Sequence, residues 1–284
     1  MHVQPFHHLD ILWIQVAGTQ CNLSCAHCFV PSGPGVTRHA MLSRTEVAAR
    51  VAEAAAMGVK EIYFTGGEPF LNAEIEAIVE DTLRVAPVTV LTNGTLFTSR
   101  RVQWLAATTR AARYSLELRV SLDGASAAAH DALRGAGAWS RTMDGLRALS
   151  AAGLLPIVTV TQLERGDALE FRERVFAILR AEGIAQPRVK VLPMFKLGRE
   201  AERAGAYGER ESLALLPESA FDAERLQCGA CRAVTSQGVF VCPLLVDEPA
   251  ARMGDALAES ARGFELSHGA CHTCWVTGMT CANG

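Results

Sequence analysis

Residues 11–28, ILWIQVAGTQCNLSCAHC, decide the fold and the chemistry expected of this chain. The apolar run Ile11–Ala17 predicts a buried strand. The loop after it carries Cys21, Cys25 and Cys28 in the spacing C-x3-C-x2-C. Three thiolates on one short loop can hold three corners of a cubane iron–sulfur cluster, which leaves the fourth iron without a protein ligand. An open metal position is typical of a site where a substrate or cofactor coordinates.

Further strands alternate with helices after this loop. We predict them at Glu61–Thr65, Val88–Thr92, Leu116–Leu122, Ile157–Thr161 and Val189–Leu192. Six strands that alternate with helices require parallel pairing with right-handed crossovers. The predicted fold class is α/β, a partial (β/α)6 TIM-like barrel that is two units short of a closed barrel.

The most distinctive polar and glycine residues follow the predicted strands. Gly66-Gly67-Glu68-Pro69 comes after the second strand, Asn93 ends the third, and Ser121 and Asp123 end the fourth. In a parallel β/α fold the loops at the carboxyl ends of the strands carry the chemistry. These residues are therefore expected to lie beside the cysteine loop.

Taken together, the cysteine loop, the GGEP turn and the polar strand ends resemble the radical S-adenosylmethionine (radical SAM) family over about residues 10–200. The resemblance implies that SAM binds the open iron of a 4Fe–4S cluster. One electron then splits SAM into methionine and a 5′-deoxyadenosyl radical, which abstracts a substrate hydrogen atom. The alternative for the loop is a structural zinc site, completed by His27 or another residue.

The resemblance also implies roles for individual side chains around SAM. Gly66 and Gly67 would let the backbone approach the SAM amine, while Pro69 stiffens the turn and Glu68 counters the ammonium or braces the loop. His27 stands where the family often has an aromatic residue near the adenine, with loop packing as the alternative. The polar candidates for ribose or methionyl contacts, which could instead cap strand or helix ends, are Asn93, Ser121, Asp123 and Arg134.

A second group of cysteines lies near the end of the chain, in the pattern C-x2-C-x10-C followed by C-x2-C-x6-C. Its members are Cys228, Cys231, Cys242, Cys271, Cys274 and Cys281. The segment around Gly238 predicts a small hairpin that delivers Cys242. The pattern resembles the SPASM and twitch extensions of radical SAM enzymes, but it lacks the seventh cysteine of the full SPASM pattern.

That resemblance implies one auxiliary 4Fe–4S cluster, held by Cys231, Cys242, Cys271 and Cys274. The alternatives are two three-ligand clusters, a zinc ribbon, or the substrate-binding cluster of the enzyme that opens molybdopterin synthesis. A cysteine that faces the substrate could return a hydrogen atom from the opposite side, which would turn abstraction into epimerisation. The candidates are Cys228, Cys242 and Cys281.

Composition limits the class of protein. The chain has 284 residues, 49% hydrophobic and 20% charged, with a net charge of −3, so nothing indicates nucleic-acid binding. No apolar stretch is long enough to span a bilayer. Nine cysteines, an odd number without a secretory signal, predict metal binding in a reducing cytoplasm rather than disulfides.

We predict three segments: a barrel over residues 1–200, a linker over 201–217 and an auxiliary-cluster domain over 218–284. Residues 1–10, with three histidines, are expected to form a mobile lead-in. A reducing protein such as flavodoxin or ferredoxin would supply electrons.

Three functions compete. The favoured one is oxidation or epimerisation of a small polar natural product of the aminosugar or aminocyclitol type. The second is maturation of a ribosomally synthesised peptide, which is disfavoured because only 20 residues precede Cys21 and leave no room for a leader-binding domain. The third is a non-catalytic metal-stabilised binding or electron-transfer module.

Overall fold

A computed structural model describes residues 2–162, 167–278 and 281. The strands, in chain order, are β1 Val3–Gln4, β2 Ile11–Gln15, β3 Glu61–Thr65, β4 Val88–Thr92, β5 Leu116–Ser121, β6 Ile157–Thr161, β7 Arg188–Leu192, β8 Cys231–Thr235, β9 Gly238–Phe240, β10 Arg252–Gly254 and β11 Phe264–Glu265. The helices are α1 Arg44–Ala56, α2 Ile75–Thr82, α3 Ser99–Ala111, α4 Ala127–Arg134, α5 Ala138–Ala151, α6 Ala168–Ala181, α7 Gly198–Ala204 and α8 Gly269–Thr277. Among these helices none is long and apolar enough to cross a bilayer.

The six predicted strands form a parallel sheet in chain order, β2-β3-β4-β5-β6-β7. This confirms the β/α barrel arrangement. Three of the six strands have the predicted bounds, while β2 ends at Gln15 rather than Ala17. The strand ends there because the amide of Gly18, whose φ is +52°, turns back to donate to the Gln15 carbonyl at 3.1 Å.

The sheet continues into the carboxyl-terminal part of the chain. Strand β8 pairs in parallel with β2, and β9 and β10 add antiparallel strands outside it. The predicted hairpin is therefore present, with Gly238 opening β9 and Cys242 two residues beyond its end. Hydrogen bonding thus crosses the boundary expected between the barrel and the cysteine-rich segment; the division into domains stays a prediction.

The first residues of the chain are not a mobile lead-in. Strand β1 pairs with β11, and His2 is only 4% exposed. The His2 ring stacks on Phe221 at 4.3 Å, and its Nε2 lies 2.8 Å from the Leu216 carbonyl oxygen. The sequence signal for this packing is weak because β1 is two residues long and its partner lies more than 250 residues away.

Two apolar clusters stabilise the fold. The larger one packs the outer face of the parallel sheet against the helices, with Ile14, Phe64 and Val90 fully buried. The smaller one joins the inner face of the sheet, at Trp13 and Tyr63, to the cysteine-rich segment. The second cluster places the late cysteines beside the mouth of the barrel.

Candidate functional site

The three cysteines of the first loop line one cavity at the carboxyl ends of the parallel strands. The cavity is open to solvent. The loop is held to the barrel by Arg199, whose Nη1 donates to the carbonyl oxygens of Cys25 at 3.2 Å and Ser32 at 2.9 Å. Sequence analysis missed Arg199, because it lies 174 residues from Cys25 and no motif connects the two.

The burial and the mutual proximity of these three thiols favour the binding of a positively charged group between them. Burial, together with the charges of Glu68, Cys25 and Cys28, raises the pKa of Cys21 to about 11. Burial also raises the pKa of Cys25, against the lowering effect of Arg134. Neighbouring buried thiolates repel one another, so they are stable together only when a cation binds them. A cluster of iron atoms meets that requirement.

The GGEP turn forms a cradle against the cysteine loop. A Cβ on Gly67 would lie 2.1 Å from the Gln20 carbonyl oxygen, and one on Gly66 would lie 2.8 Å from the Gly18 carbonyl oxygen. Gly66 also has φ +130°, which favours glycine. The amides of Gly67 and Glu68 donate to the Gly18 and Gln20 carbonyls at 2.8 and 2.9 Å. The two glycines are therefore required for the turn and the cysteine loop to pack together.

Glu68 is completely buried and braces the turn. Its carboxylate accepts hydrogen bonds from Thr92 Oγ1 at 2.8 Å, the Asn93 amide at 2.8 Å and the Phe70 amide at 3.1 Å. Burial raises the pKa of Glu68, although these donors favour the charged form. Pro69 is buried and begins a single 3-10 turn. These contacts correspond to the bracing role expected of Glu68.

Asn93 connects the end of β4 to the cysteine loop. Its Nδ2 donates to Asn22 Oδ1 at 2.8 Å and lies 3.8 Å from Cys21 Sγ, while its Oδ1 accepts from the Thr95 amide at 2.9 Å. An amide proton directed at a thiolate favours its charged form. Asn93 thus contacts Cys21 and also lines the cavity.

A buried charge network joins the cysteine loop to β5 and α4. Asp123 Oδ2 lies 2.8 Å from His27 Nε2 and accepts from Arg134 Nε at 2.5 Å. Burial opposes ionisation of Asp123, but Arg134 and His27 hold its pKa well below the ordinary value. His27 Nδ1 is buried without a hydrogen-bond partner among the described residues. All three side chains line the cavity.

His130, which sequence analysis did not single out, supports this network. It is fully buried, and its Nδ1 accepts from the Asp123 amide at 3.1 Å. Burial and the positive charge of Arg134 lower the pKa of His130 to about 4. The imidazole is therefore neutral at pH 7 and acts as a hydrogen-bond acceptor for the backbone.

The inner wall formed by β5 and β6 completes the cavity. Ser121 lines it as predicted, beside Thr159, Thr161 and a buried arginine, Arg119. Arg119 was missed, although a cation two residues before Ser121 in an otherwise apolar strand was a usable signal, since alternate residues of a strand face the same side. Together these residues make one wall of the cavity polar.

All six late cysteines line a second cavity. Burial raises the pKa of Cys228, Cys242 and Cys271 to about 12 in each case, and their neighbours' negative charges contribute. As in the first group, such thiols become stable as thiolates when a cation binds them. Among the described residues, no three His, Cys, Asp or Glu side chains converge on a position for a single metal ion.

Cys281 lines both cavities. Its amide donates to Gln227 Oε1 at 2.7 Å, and its carbonyl oxygen accepts a hydrogen bond from Arg119 Nη1. The other two candidate hydrogen-atom donors, Cys228 and Cys242, line the second cavity alone. The structure therefore distinguishes Cys281 from them by position.

Comparison with known proteins places the chain in a family. A family model described as the radical SAM superfamily matches residues 16–170, more than half of the chain. The chain is 31% identical to a GTP 3′,8-cyclase of Aeromonas hydrophila over 51% of this chain and 43% of that protein. It is 32% identical to an AdoMet-dependent heme synthase of Methanosarcina barkeri over 68% of this chain and 53% of that protein.

A third relative is the mycofactocin maturase MftC of Mycobacterium tuberculosis, 31% identical over 60% of this chain and 41% of that protein. The chain thus spans about half the length of the relatives it matches. Among solved structures, anSMEcpe with bound AdoMet has a TM-score of 0.65 at 16% identity, over 89% of this chain and 77% of that one. SuiB of Streptococcus suis with bound S-adenosylmethionine has a TM-score of 0.62 at 16% identity, over 85% and 62%.

These two structures share the fold of the chain. The family match covers the cysteine loop, the GGEP turn and the polar strand ends that line the first cavity. The chain belongs to the radical SAM superfamily, whose enzymes use SAM and a 4Fe–4S cluster.

Proposed function

We propose that this chain cleaves SAM reductively and uses the 5′-deoxyadenosyl radical to remove a hydrogen atom from a small molecule bound in the first cavity. The observation that carries the proposal is that the three thiols, the glycine cradle and the Asp123–Arg134 pair line one cavity. Cys21, Cys25 and Cys28 would hold the cluster. When bound, that cluster supplies the electron that splits SAM into methionine and the radical.

The other residues of the cavity bind and position SAM in this proposal. The glycine cradle brings the backbone of residues 66–67 within reach of the methionyl amine. The Arg134 side chain is charged and 11% exposed, and its Nε is the atom that pairs with Asp123. The other nitrogens of its guanidinium are therefore suited to bind the methionyl carboxylate. His27, Asn93 and Ser121 offer contacts to the adenosine. Asp123 fixes Arg134 and His27 in place.

The reaction of the substrate can end in either an oxidised product or an epimer, and atoms and electrons balance in both. Abstraction converts the radical to 5′-deoxyadenosine and leaves a carbon radical on the substrate. Loss of one electron and one proton from that radical gives an oxidised product, with the electron passed to an auxiliary cluster at the second cavity. Transfer of a hydrogen atom from the Cys281 thiol gives an epimer and a thiyl radical. The position of Cys281 between the cavities supports it over Cys228 and Cys242 as the donor.

The remaining assignments extend the proposal. Cys231, Cys242, Cys271 and Cys274 would hold one auxiliary 4Fe–4S cluster in a domain formed by residues 218–284. A flavodoxin- or ferredoxin-like protein would supply electrons. The compartment would be a reducing cytoplasm, because oxygen destroys exposed clusters.

Maturation of a ribosomally synthesised peptide is the second candidate function, supported by similarity to the mycofactocin maturase. The aminosugar or aminocyclitol substrate stays a prediction.

Anaerobic SAM cleavage tests the proposal. Protein loaded with iron and sulfide, then mixed with dithionite and SAM, should yield 5′-deoxyadenosine and methionine in equal amounts. Cys25→Ala should abolish both products. Ser24→Ala is the matched control, because Ser24 lies in the same loop, is exposed and leaves the three thiols intact. Wild-type protein with a loaded cluster and no 5′-deoxyadenosine would instead support a non-catalytic binding or electron-transfer module.

A solvent-deuterium experiment separates the two outcomes for the substrate. In deuterated water, epimerisation should place one solvent deuterium in the product, and Cys281→Ser should remove that label. Cys228→Ser is the matched control, because Cys228 lines the second cavity alone. A product that has lost two hydrogens and gained no deuterium would identify oxidation and reject Cys281 as a donor.

A further inference from the structure

The inner wall of the first cavity holds one arginine for which the family chemistry gives no role. Arg119 is 2% exposed, and its side chain lines the cavity two residues before Ser121 on β5. Burial lowers the pKa of Arg119, while the charges of Cys281 and Tyr63 act in the opposite direction. A guanidinium nevertheless stays protonated in proteins. A positive charge is therefore held inside the cavity wall.

The hydrogen bonds of Arg119 leave part of its guanidinium unused. Nε donates to Thr159 Oγ1 at 3.2 Å, and Nη1 donates to the Cys281 carbonyl oxygen. Both acceptors are uncharged, and Nη2 has no acceptor among residues 2–162, 167–278 and 281. A guanidinium carries five N–H donors in a planar fork. The free side of the fork matches the two oxygens of a carboxylate or a phosphate.

Two other buried arginines show how this chain satisfies such a group with its own acceptors. Arg134 is paired with Asp123. Arg232, 1% exposed, uses Nε, Nη1 and Nη2 to donate to the backbone carbonyls of Ser260, Cys228, Cys231 and Arg262. Arg119 has neither a carboxylate partner nor a full set of carbonyls within the described part of the chain. It differs from Arg232 in lining the first cavity, and from Arg134 in having no carboxylate partner among the described residues.

The surroundings of Arg119 favour a negative ligand. Lys190 on β7, which pairs in register with Thr159, adds a second positive charge nearby, and burial with Arg119 lowers its pKa to about 8. Asp123, the one carboxylate lining the described cavity, is already matched by Arg134. The same cavity is also lined by apolar residues, among them Trp13 and Phe195.

We infer that the substrate of this enzyme carries a carboxylate or phosphate that binds Arg119, together with an apolar part that packs against Trp13 and Phe195. This inference rests on the proposed function and names its substrate class. It disfavours an aminosugar or aminocyclitol, because a protonated amine would face the positive charge of Arg119 in the cavity.

Probe binding to the unreduced holoprotein tests the inference without any turnover. Ligand-observed NMR would compare phenylacetate, phenylacetamide, phenethylamine and phenyl phosphate, which share a ring and differ in charge. We expect one of the two anions to bind at least about tenfold more tightly than the amide, and the amine to bind more weakly still. Whichever anion binds more tightly identifies the group as a carboxylate or a phosphate.

Substitutions of Arg119 test whether this side chain causes the preference for an anionic probe. Arg119→Gln should abolish the discrimination between anion and amide, and Arg119→Lys should retain part of it. Arg110→Gln, at an exposed arginine on α3, is the matched control and should keep the full preference. Equal binding of anion and amide by the wild type, or a preference that survives in a folded Arg119→Gln protein, would overturn the inference. Since the probes bind without reduction, a failure of SAM cleavage would leave this result interpretable.

Discussion

His27 Nε2 and Asp123 Oδ2 lie 2.8 Å apart and connect the cysteine loop directly to the end of β5. The same carboxylate oxygen accepts from Arg134 on α4, so one buried anion fixes three separate segments of the cavity wall. Both partners of this anion are candidate SAM ligands. The network therefore couples the stability of the fold to the geometry of the site.

Replacement of Asp123 by asparagine should destabilise the protein strongly. Asp123→Asn removes the negative charge and leaves Arg134, 11% exposed, without a counter-charge. Breaking a buried ion pair from one side costs about 3–5 kcal/mol. Urea unfolding of the anaerobic apoprotein should show this loss. Asp144→Asn, at a surface pair in which Asp144 is 67% exposed, should change the free energy of unfolding by about 1 kcal/mol or less. Similar losses in the two variants would contradict this account of the network.

A methyl group at Gly67 should disrupt cluster assembly. In Gly67→Ala the added Cβ would lie 2.1 Å from the Gln20 carbonyl oxygen and 2.9 Å from Cys21 Cβ, so the turn and the loop must separate. We expect the iron bound by the first cysteine group to fall several-fold, measured by iron analysis and visible absorbance after anaerobic reconstitution. Gly208→Ala, where the Cβ would meet only Glu211 Oε2 at 3.8 Å, should bind iron like the wild type. Full iron loading of Gly67→Ala would show that the cradle tolerates a side chain.

The parallel sheet and the first cavity were predictable because their signals are local. Apolar runs of five or six residues fix the strands, and Gly66, Asn93 and Asp123 each lie one or two residues beyond the end of a strand. A parallel sheet must bring those ends together. The positions of these residues in the chain therefore determined their positions in the site.

The other features of the fold and of the site depend on contacts between segments that are distant in the chain. The sequence offers no periodic signal for such contacts. The pairing of β8 with β2 joins residues more than 200 positions apart. Arg199 reaches the cysteine loop across a similar distance. His2 is buried by residues near the far end of the chain. Such contacts follow from the packing of complete elements, which neither composition nor local pattern encodes.

Stability should fall below pH 6.5 because of His130. Its pKa is about 4 in the fold and 6.5 ordinarily, so between these values the unfolded chain binds a proton that the folded chain does not. The free energy of unfolding therefore decreases as the pH falls, by about 2 kcal/mol from this residue between pH 7 and pH 5. His130→Asn keeps an acceptor for the Asp123 amide and should lose correspondingly less over that interval. Urea titrations at both pH values measure the difference.

The matched control for this titration is His8→Asn, because the His8 side chain is 55% exposed. It should retain the wild-type pH dependence. Equal pH dependence in wild type and His130→Asn would show that His130 titrates normally and that its burial is relieved in solution.

The late cysteines should bind iron separately from the first group. Anaerobically reconstituted wild type is expected to hold about eight irons per chain, two clusters of four. Cys271→Ala should lower this number toward about four while SAM cleavage persists, and Cys25→Ala should lower it equally while cleavage is lost. Cys228→Ala tests the ligand set: iron content should stay at the wild-type value, because Cys231, Cys242, Cys271 and Cys274 suffice for one cluster. About four irons in the wild type, unaffected by Cys271→Ala, would leave the second cavity without a cluster.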